Sequence, residues 1–514
     1  MVKASTIAFG GLALSASFTA ASPLLYERNN DGTPSKRNII LGWTDGMGQN
    51  VVGMTRQVIE RLRNPESDKP TYTGYETTLE NDSVGVMRCG SASSLITDSA
   101  AAGTAVATGF KTNNGIVGVS PDGKALGNIL EAAKQAGYLT GVITTSYVWD
   151  ASPAAFTAHS EDRDDAWFIA EQQIGATHPL GRVADLILGG GRCAFIPQSE
   201  EGSCRYDDKN LIKSAKEKYG WNVIESPEAL ASAQQLPLLG LFAPEDFPAP
   251  LDRPSSQPSL AQMTDKAIEL LSEASAADPS VKGFFLFYES EVTDSTGHNN
   301  DAIATYSASL EINDATLNVK EWHGKLKAKG EDTLFFSLSD HETGGFGIGY
   351  DVEDPPTKVE IGWEPLVIGR AVHSPAYVAD LLAEAAGSGN ASLAQVKSYV
   401  ADNLKLQNYT ETEAKMVVAA GNDTSALLEA LVYSVNIRAR VGYTTGGHTA
   451  NDVQIYCYEN PYCIKFWGSH ENTELSSIMK GFLQDDSVDI ESVTKKLSGL
   501  NAMAPTLPGE PVEE

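Results

Sequence analysis

Long apolar runs are scarce in this chain of 514 residues. Beyond the N-terminus, no segment reaches the roughly 20 consecutive apolar residues needed to cross a bilayer, so no span is expected there. Cysteine is sparse as well. Five residues are too few for a disulfide scaffold, though they agree with an oxidising compartment. Basic residues are the third deficit: 38 Lys and Arg against 67 Asp and Glu give a formal charge of −29. That charge repels nucleic-acid phosphates over most of the surface and argues against such a partner. Internal repeats are missing too, as are low-complexity segments other than the acidic C-terminal end.

The one long apolar run covers residues 7–21, behind Lys3 and ending at Thr19-Ala20-Ala21. This is the layout of a secretory signal. A membrane anchor is the competing reading, but Gly10, Gly11, Ser15 and Ser17 interrupt the run and it is short for a span. Residues 506–514 are polar and acidic, without the hydrophobic tail of a lipid-anchor signal. A signal peptide over 1–21, an N-terminal extension over 22–37 and secretion, or another compartment on the secretory pathway, are expected, with no stable membrane anchor. Cys457 with Cys463 and Cys193 with Cys204 each flank a short loop and are candidate disulfides. Cys89 is left over, a buried small thiol or, ten residues before Ser99, a reactive one. Sequons at Asn81, Asn390, Asn408 and Asn422 permit glycosylation.

With 42% hydrophobic residues the chain can bury a large core, as one α/β unit with insertions or as two domains. Residues 38–43 form an apolar run that ends at Asp45, which reads as a buried strand with a carboxylate at its tip. The same pattern recurs. A helix over 126–136 precedes a strand over 139–145 and then Asp150 and Ser152. A helix over 262–274 precedes a strand over 283–288 and then Glu289. A long helix over 302–322 precedes a strand over 333–338 and then Asp340-His341. Alternating helices and apolar strands predict a large α/β fold: a central, mostly parallel sheet flanked by helices on both faces. The acidic residues fall just past strand C-termini, where open α/β sheets carry their sites. Residues 365–440 read as a helical insertion, and the Pro-rich stretch 237–258 as a surface loop.

Five segments carry the chemistry: Asp45-Gly46-Met47-Gly48, Asp98-Ser99-Ala100, Glu289 with Asp294 and His298, Asp340 to Gly345, and Gly446 to Ala450. Asp294 and His298, at i and i+4, pair a carboxylate with an imidazole in the manner zinc prefers, and Asp340-His341 repeats the pair. His448 adds another imidazole, while Glu289 is a hard ligand suited to magnesium. Glycines 344, 345, 446 and 447 would allow close backbone approach. Ser99 opens a small-residue helix where free N–H groups and the dipole favour an anion. An N-cap role for Asp98 or Ser99 is the plainer reading of that position alone.

In this order the motifs D-G-M-G, D-S-A, D-A-S-P, E-x(4)-D-x(3)-H, D-H-E-T-G-G and T-G-G-H-T-A resemble those of the alkaline phosphatases, over residues 38–479. The resemblance implies a phosphatase domain over 38–480, a tail over 481–514, and two zinc ions and one magnesium ion per chain. By position, Asp45 would bridge the second zinc and the magnesium, and Ser152 and Glu289 would complete the magnesium site. Asp294, His298 and His448 would bind the first zinc, Asp340 and His341 the second. Ser99 would be the nucleophile, forming a phosphoserine, and Arg163 would clamp the phosphate of small phosphorylated substrates. Asp150 and His159 would support this set from behind. Three divalent ions and Arg163 against four carboxylates would make the pocket locally positive within an acidic protein. The family is commonly dimeric, so a homodimer is the expected assembly. Many relatives carry Lys or His where this chain has Ser295, which predicts that Asp150 finds no cation there and that the third site is oxygen-rich. A phosphodiesterase or phosphomutase of the same superfamily is the runner-up, and a secreted metal- or phosphate-binding protein without turnover the other alternative.

Overall fold

Why the central strands read as unbroken apolar runs is plain from their surroundings. β1 (Arg37–Thr44) and β7 (Phe284–Ser290) are buried at every position, because helices cover both faces of the sheet. Between them in the chain come β2 (Ser83–Arg88), β3 (Leu139–Tyr147), β4 (Leu186–Gly190), β5 (Asn222–Ile224) and β6 (Leu238–Leu241). After them follow β8 (Asp332–Leu338), the two-residue strands β9 (Glu342–Thr343), β10 (Gly347–Ile348), β11 (Val441–Gly442) and β12 (His448–Thr449), then β13 (Val453–Tyr458) and β14 (Gly468–Glu471). The computed structural model describes residues 36–66, 77–349 and 362–505. The expected signal peptide, most of the N-terminal extension and the acidic end lie outside that range. Among the described residues no helix is long and apolar enough to cross a membrane.

Ten strands form one mixed sheet in the order β14-β2-β13-β8-β1-β7-β3-β4-β6-β5. β13 alone runs against its neighbours, antiparallel to both β2 and β8. Successive residues of one strand serve opposite faces. Ile39, Leu41, Phe285 and Phe287 join the core beneath the helices Ser99–Thr108, Ile129–Ala136 and Ala151–Thr157. Ile40, Phe284 and Leu286 join the opposite core, against the helices Leu260–Ala277 and Ala302–Ala328. A third cluster holds the helices of 365–440, packed on Met54 and Val58 of the helix Gln49–Arg63. Beneath the end of β1, Trp43 packs against Phe156 and Phe287 with ring centroids 6.3 and 5.6 Å apart.

Two expectations need correction. The Pro-rich stretch is not all loop, since Leu238–Leu241 is a buried strand between β4 and β5. Four apolar residues suffice once sheet neighbours cover them, and the surrounding prolines mask the signal. The helix expected from 126 starts at Ile129, because Asn128 and Glu131 close a capping box there. Cys193–Cys204 and Cys457–Cys463 form disulfides. Cys89 is buried, and burial pushes its thiol well above the ordinary range, which suits a packed side chain and not a nucleophile.

Candidate metal centre

Four adjacent parallel strands, β8-β1-β7-β3, end at one place. Glu289 lies opposite Trp43 of β1 and Thr144 of β3 in register, Asp45 follows β1, and Asp340 lies two residues past β8. Backbone bonds stitch these ends together: Asp45 N–H donates to Ser290 O at 3.1 Å, and Gly46 N–H donates to Asp340 Oδ1 at 3.2 Å. Gly46 has φ +70°, and a Cβ there would lie 2.7 Å from the Asp294 backbone. Only glycine therefore lets the helix Val292–His298 approach β1 so closely. That helix carries Asp294 and His298 on one face, with Oδ2 and Nε2 3.2 Å apart. His448 arrives from far along the chain through the pairing of β12 with β9, in which it faces Thr343. Gly344 and Gly345 adopt positive φ in this turn, whereas added Cβ atoms at Gly446 and Gly447 would meet only ordinary contacts.

The hydrogen bonds fix which ring nitrogens face inward. A carbonyl oxygen only accepts, so Nδ1 of His298, 2.7 Å from Gly446 O, and Nδ1 of His448, 2.8 Å from Thr97 O, both carry protons. Thr343 Oγ1 donates to Asp294, which leaves it to accept from His341 Nδ1 at 3.3 Å. All three Nε2 atoms then point into the centre. Those of His298 and His448 lie 3.2 Å apart, and that of His341 is 3.2 Å from Asp340 Oδ2 and 3.7 Å from Asp45 Oδ1. Histidines that donate one nitrogen to a carbonyl and aim the other at carboxylates have the arrangement of metal ligands.

The carboxylates make the same case. Asp45 Oδ1, Glu289 Oε1 and Asp340 Oδ2 are buried without a hydrogen-bond partner, a costly state unless a cation compensates it. Burial, with Asp340 and Asp294 beside it, holds Asp45 well above the usual carboxylate range. Burial and then Asp150 do the same to Glu289, and burial with Asp294 pushes Asp340 up to about 6. Asp294 differs: burial would raise it, but the hydrogen bond from His298 and the nearby His341 bring it below the usual range. The hydrogen bond to Asp294 holds His298 up to about 8, while burial pushes His341 down to about 4. One proton on His298 satisfies a single contact; divalent cations satisfy the whole set. Donor atoms of Asp45, Asp340 and His341 lie within 4.8 Å of one another, as do those of Asp294, His341 and His448. Ser152 Oγ donates to Asp45 Oδ2 at 3.4 Å, on the side where Thr144 Oγ1 donates to Glu289 Oε2 at 2.6 Å. The mixed imidazole and carboxylate donors fit divalent metal ions.

Ser99 is buried beside this set, with Oγ 3.1 Å from His341 Nε2. Asp98 takes the N-cap role, accepting from Ala101 N–H at 2.9 Å, which frees the serine hydroxyl. Arg163 is held on two sides, Nη2 3.1 Å from Asp150 Oδ1 and Nη1 3.5 Å from Asp98 Oδ2. Asp150 therefore draws its cationic partner from Arg163 and not from position 295. Its other bonds, from Ser146 Oγ and Ala151 N–H, make it also the cap of the next helix. Ser295 donates to Glu291, a half-buried acid driven well above its usual range by desolvation of its carboxylate and by Asp294. Asp98, Asp150 and Glu291 add three acids to the four of the expected charge balance, and their ionisation cancels the local positive excess.

His159 is not behind this centre. Its Nδ1 donates to Gly118 O at 2.8 Å, and its Nε2 meets Glu131 Oε1 at 3.0 Å. His178 Nε2 approaches the same oxygen at 2.9 Å. Because Leu180 N–H donates to His178 Nδ1, the proton of His178 sits on Nε2, so the trio is no metal site. Both His159 nitrogens face acceptors, which requires a buried imidazolium paired with the Glu131 carboxylate. Burial lowers the His159 pKa, but Glu131 outweighs it and the net shift is upward; the two histidines hold Glu131 down to about 2. A raised pKa contributes stability that is fully present below the unfolded value of about 6.5 and is lost as pH rises through the folded value. His159→Gln should therefore cost about 3–5 kcal/mol near pH 6, with a deficit that shrinks towards alkaline pH. Melting curves across that range check it, and a pH-independent deficit means a neutral His159.

Thr144, Thr343, Thr97 and Glu291 escaped the reading of the sequence. Thr343 lies in a quoted motif, but nothing in its spacing marks it as the group that orients both Asp294 and His341. Thr97 acts only through its carbonyl, which no side-chain pattern reveals.

A family model described as alkaline phosphatase matches residues 36–484. The chain is 38% identical over 471 residues to an alkaline phosphatase of Schizosaccharomyces pombe, covering 91% of this chain and 84% of that one. It is 33% identical over 495 residues to the repressible alkaline phosphatase of Saccharomyces cerevisiae, covering 91% and 85%. The solved cold-active alkaline phosphatase of a Shewanella species superposes with a TM-score of 0.73 at 30% identity, over 87% of this chain and all of that one.

Proposed function

Since the chain belongs to the alkaline phosphatase family, which hydrolyses phosphate monoesters, we propose that it acts through a phosphoserine on Ser99 at a centre for two zinc ions and one magnesium ion. One observation carries this reading: three imidazoles with inward Nε2 atoms and four buried carboxylates converge beside one serine hydroxyl and one anchored arginine. Asp294, His298 and His448 would hold the first zinc, Asp340 and His341 with Asp45 the second, and Asp45, Ser152 and Glu289 the magnesium. When bound, these ions lower the pKa of hydroxyl groups and water and neutralise charge on the reacting oxygens.

The protein's own groups do the rest. Asp98 caps the helix and leaves Ser99 Oγ directed at the centre. Attack forms the Oγ–phosphorus bond as the ester bond breaks in line; the electron pair leaves on the alcohol oxygen, and the proton lost from Oγ reaches that oxygen by way of solvent. Water then cleaves the phosphoserine and restores the hydroxyl. Arg163, fixed by Asp98 and Asp150, presents its planar fork to the equatorial phosphate oxygens. The substrates are small phosphate monoesters reached outside the cytosol, in keeping with two disulfides. A homodimer rests on the family alone.

A monoester dianion carries three unesterified oxygens and two negative charges, a diester only two oxygens and one charge, so a centre that sets Arg163 and divalent cations around the phosphate favours the monoester. Wild type should hydrolyse p-nitrophenyl phosphate far faster than its bis-ester; the reverse preference would make the protein a phosphodiesterase. Arg163→Ala removes a charge-assisted contact of about 1.5–3 kcal/mol, so the inhibition constant of inorganic phosphate should rise roughly ten- to hundredfold. An unchanged constant would remove Arg163 from the phosphate site.

A further inference from the structure

A cavity of about 470 Å³ opens beside His298, lined by neither Ser99 nor Arg163, a size suited to a small organic ligand. Its position follows from a row of contacts. Ser99 Oγ is 3.1 Å from His341 Nε2, the His341 and His448 rings stack at 3.6 Å, and His448 Nε2 is 3.2 Å from His298 Nε2. Ser99 thus stands at one end of the row and His298 at the other. His298 keeps 40% of its side chain exposed and forms a wall of the cavity. In-line displacement sends the leaving oxygen away from the attacking one, so the alcohol of a substrate attacked by Ser99 departs towards His298.

The opposite wall is one face of the helix Thr424–Ala439, from which Leu428, Val432 and Asn436 recur every four residues. Tyr433 borders the same space with 53% of its surface exposed, an aromatic ring without an apolar cover. Asn436 donates to Asn300 O at 2.9 Å, but its Oδ1 is buried and has no donor. An apolar stripe, an open aromatic ring and an unfilled acceptor describe a planar ligand carrying an N–H or O–H.

We propose that this cavity is the subsite for the alcohol portion of the substrate, and that it selects monoesters of aromatic or heteroaromatic alcohols bearing a hydrogen-bond donor. The inference rests on the phosphatase reading and deepens it. Ring stacking against Tyr433 and donation to Asn436 Oδ1 would act on KM, since neither group reaches the phosphorus.

The test compares adenosine 5′-monophosphate with β-glycerophosphate on the full chain, wild type against Tyr433→Ala. An exposed tyrosine can be truncated without disturbing the fold, and loss of a stacking partner for a base should lower the ratio of the two kcat/KM values about tenfold. Asn436→Asp keeps the shape but places a charge at the acceptor, and should move the same ratio through KM. Ratios equal to that of wild type in both variants overturn the subsite. Failure of the wild type to hydrolyse either ester instead overturns the phosphatase reading, and the subsite with it.

Discussion

Ser99→Ala should leave a protein that folds, loads metal and turns over a phosphate monoester on the order of 10³-fold more slowly or worse. The reason is local. Ser99 is buried but provides no helix cap, since Asp98 holds the helix start, and its hydroxyl makes its contact with His341. Removing it takes away the atom that would bond to phosphorus and little else. Acid quench of the wild type during turnover of a labelled monoester should trap label on the protein, and the same quench of Ser99→Ala should trap none. Stable label on the variant would place the nucleophile elsewhere.

Chelation should abolish activity and lower the melting temperature, two effects with separate causes. The loss of activity follows from the chemistry proposed for the ions. The loss of stability follows from Asp45 Oδ1, Glu289 Oε1 and Asp340 Oδ2, which are left buried without partners. Each ion bound at a hundredfold excess over its dissociation constant contributes about 2.7 kcal/mol to the folded state. Differential scanning calorimetry before and after chelation reads this directly. Zinc and magnesium together should restore activity better than either alone. Full recovery with zinc alone would mean that Glu289 and Ser152 hold no third ion of consequence.

The parts of the fold legible in the sequence were those built from long runs. β1, β3, β7 and β8 carry apolar runs with an acid at or just past the C-terminal tip, and the structure keeps them within a residue or two of the expected bounds. β6 and β13 were not legible. One is four residues among prolines, and the other turns against its neighbours through pairings that no local pattern encodes. The ligand-type residues were readable because their chemistry is rare in combination. Their supports were not, because a threonine that orients a carboxylate looks like any other threonine. His159 shows the converse error: the resemblance implies that it supports the metal set, but the structure delivers the ring to Glu131.

The order of the strands also sets when the centre can exist. Asp45, Glu289, Asp340 and His448 are drawn from nearly the full length of the chain, and the pairing of β12 with β9 that seats His448 needs residues past 440. A nascent chain emerging from the ribosome therefore lacks His448, and the β12–β9 pairing that seats it, until residues past 440 are made. Such long-range closure is slow and comes late in folding. For the metal centre proposed above, loading then follows synthesis, and the cellular compartment where folding finishes, not the one where translation starts, would decide which ions are acquired.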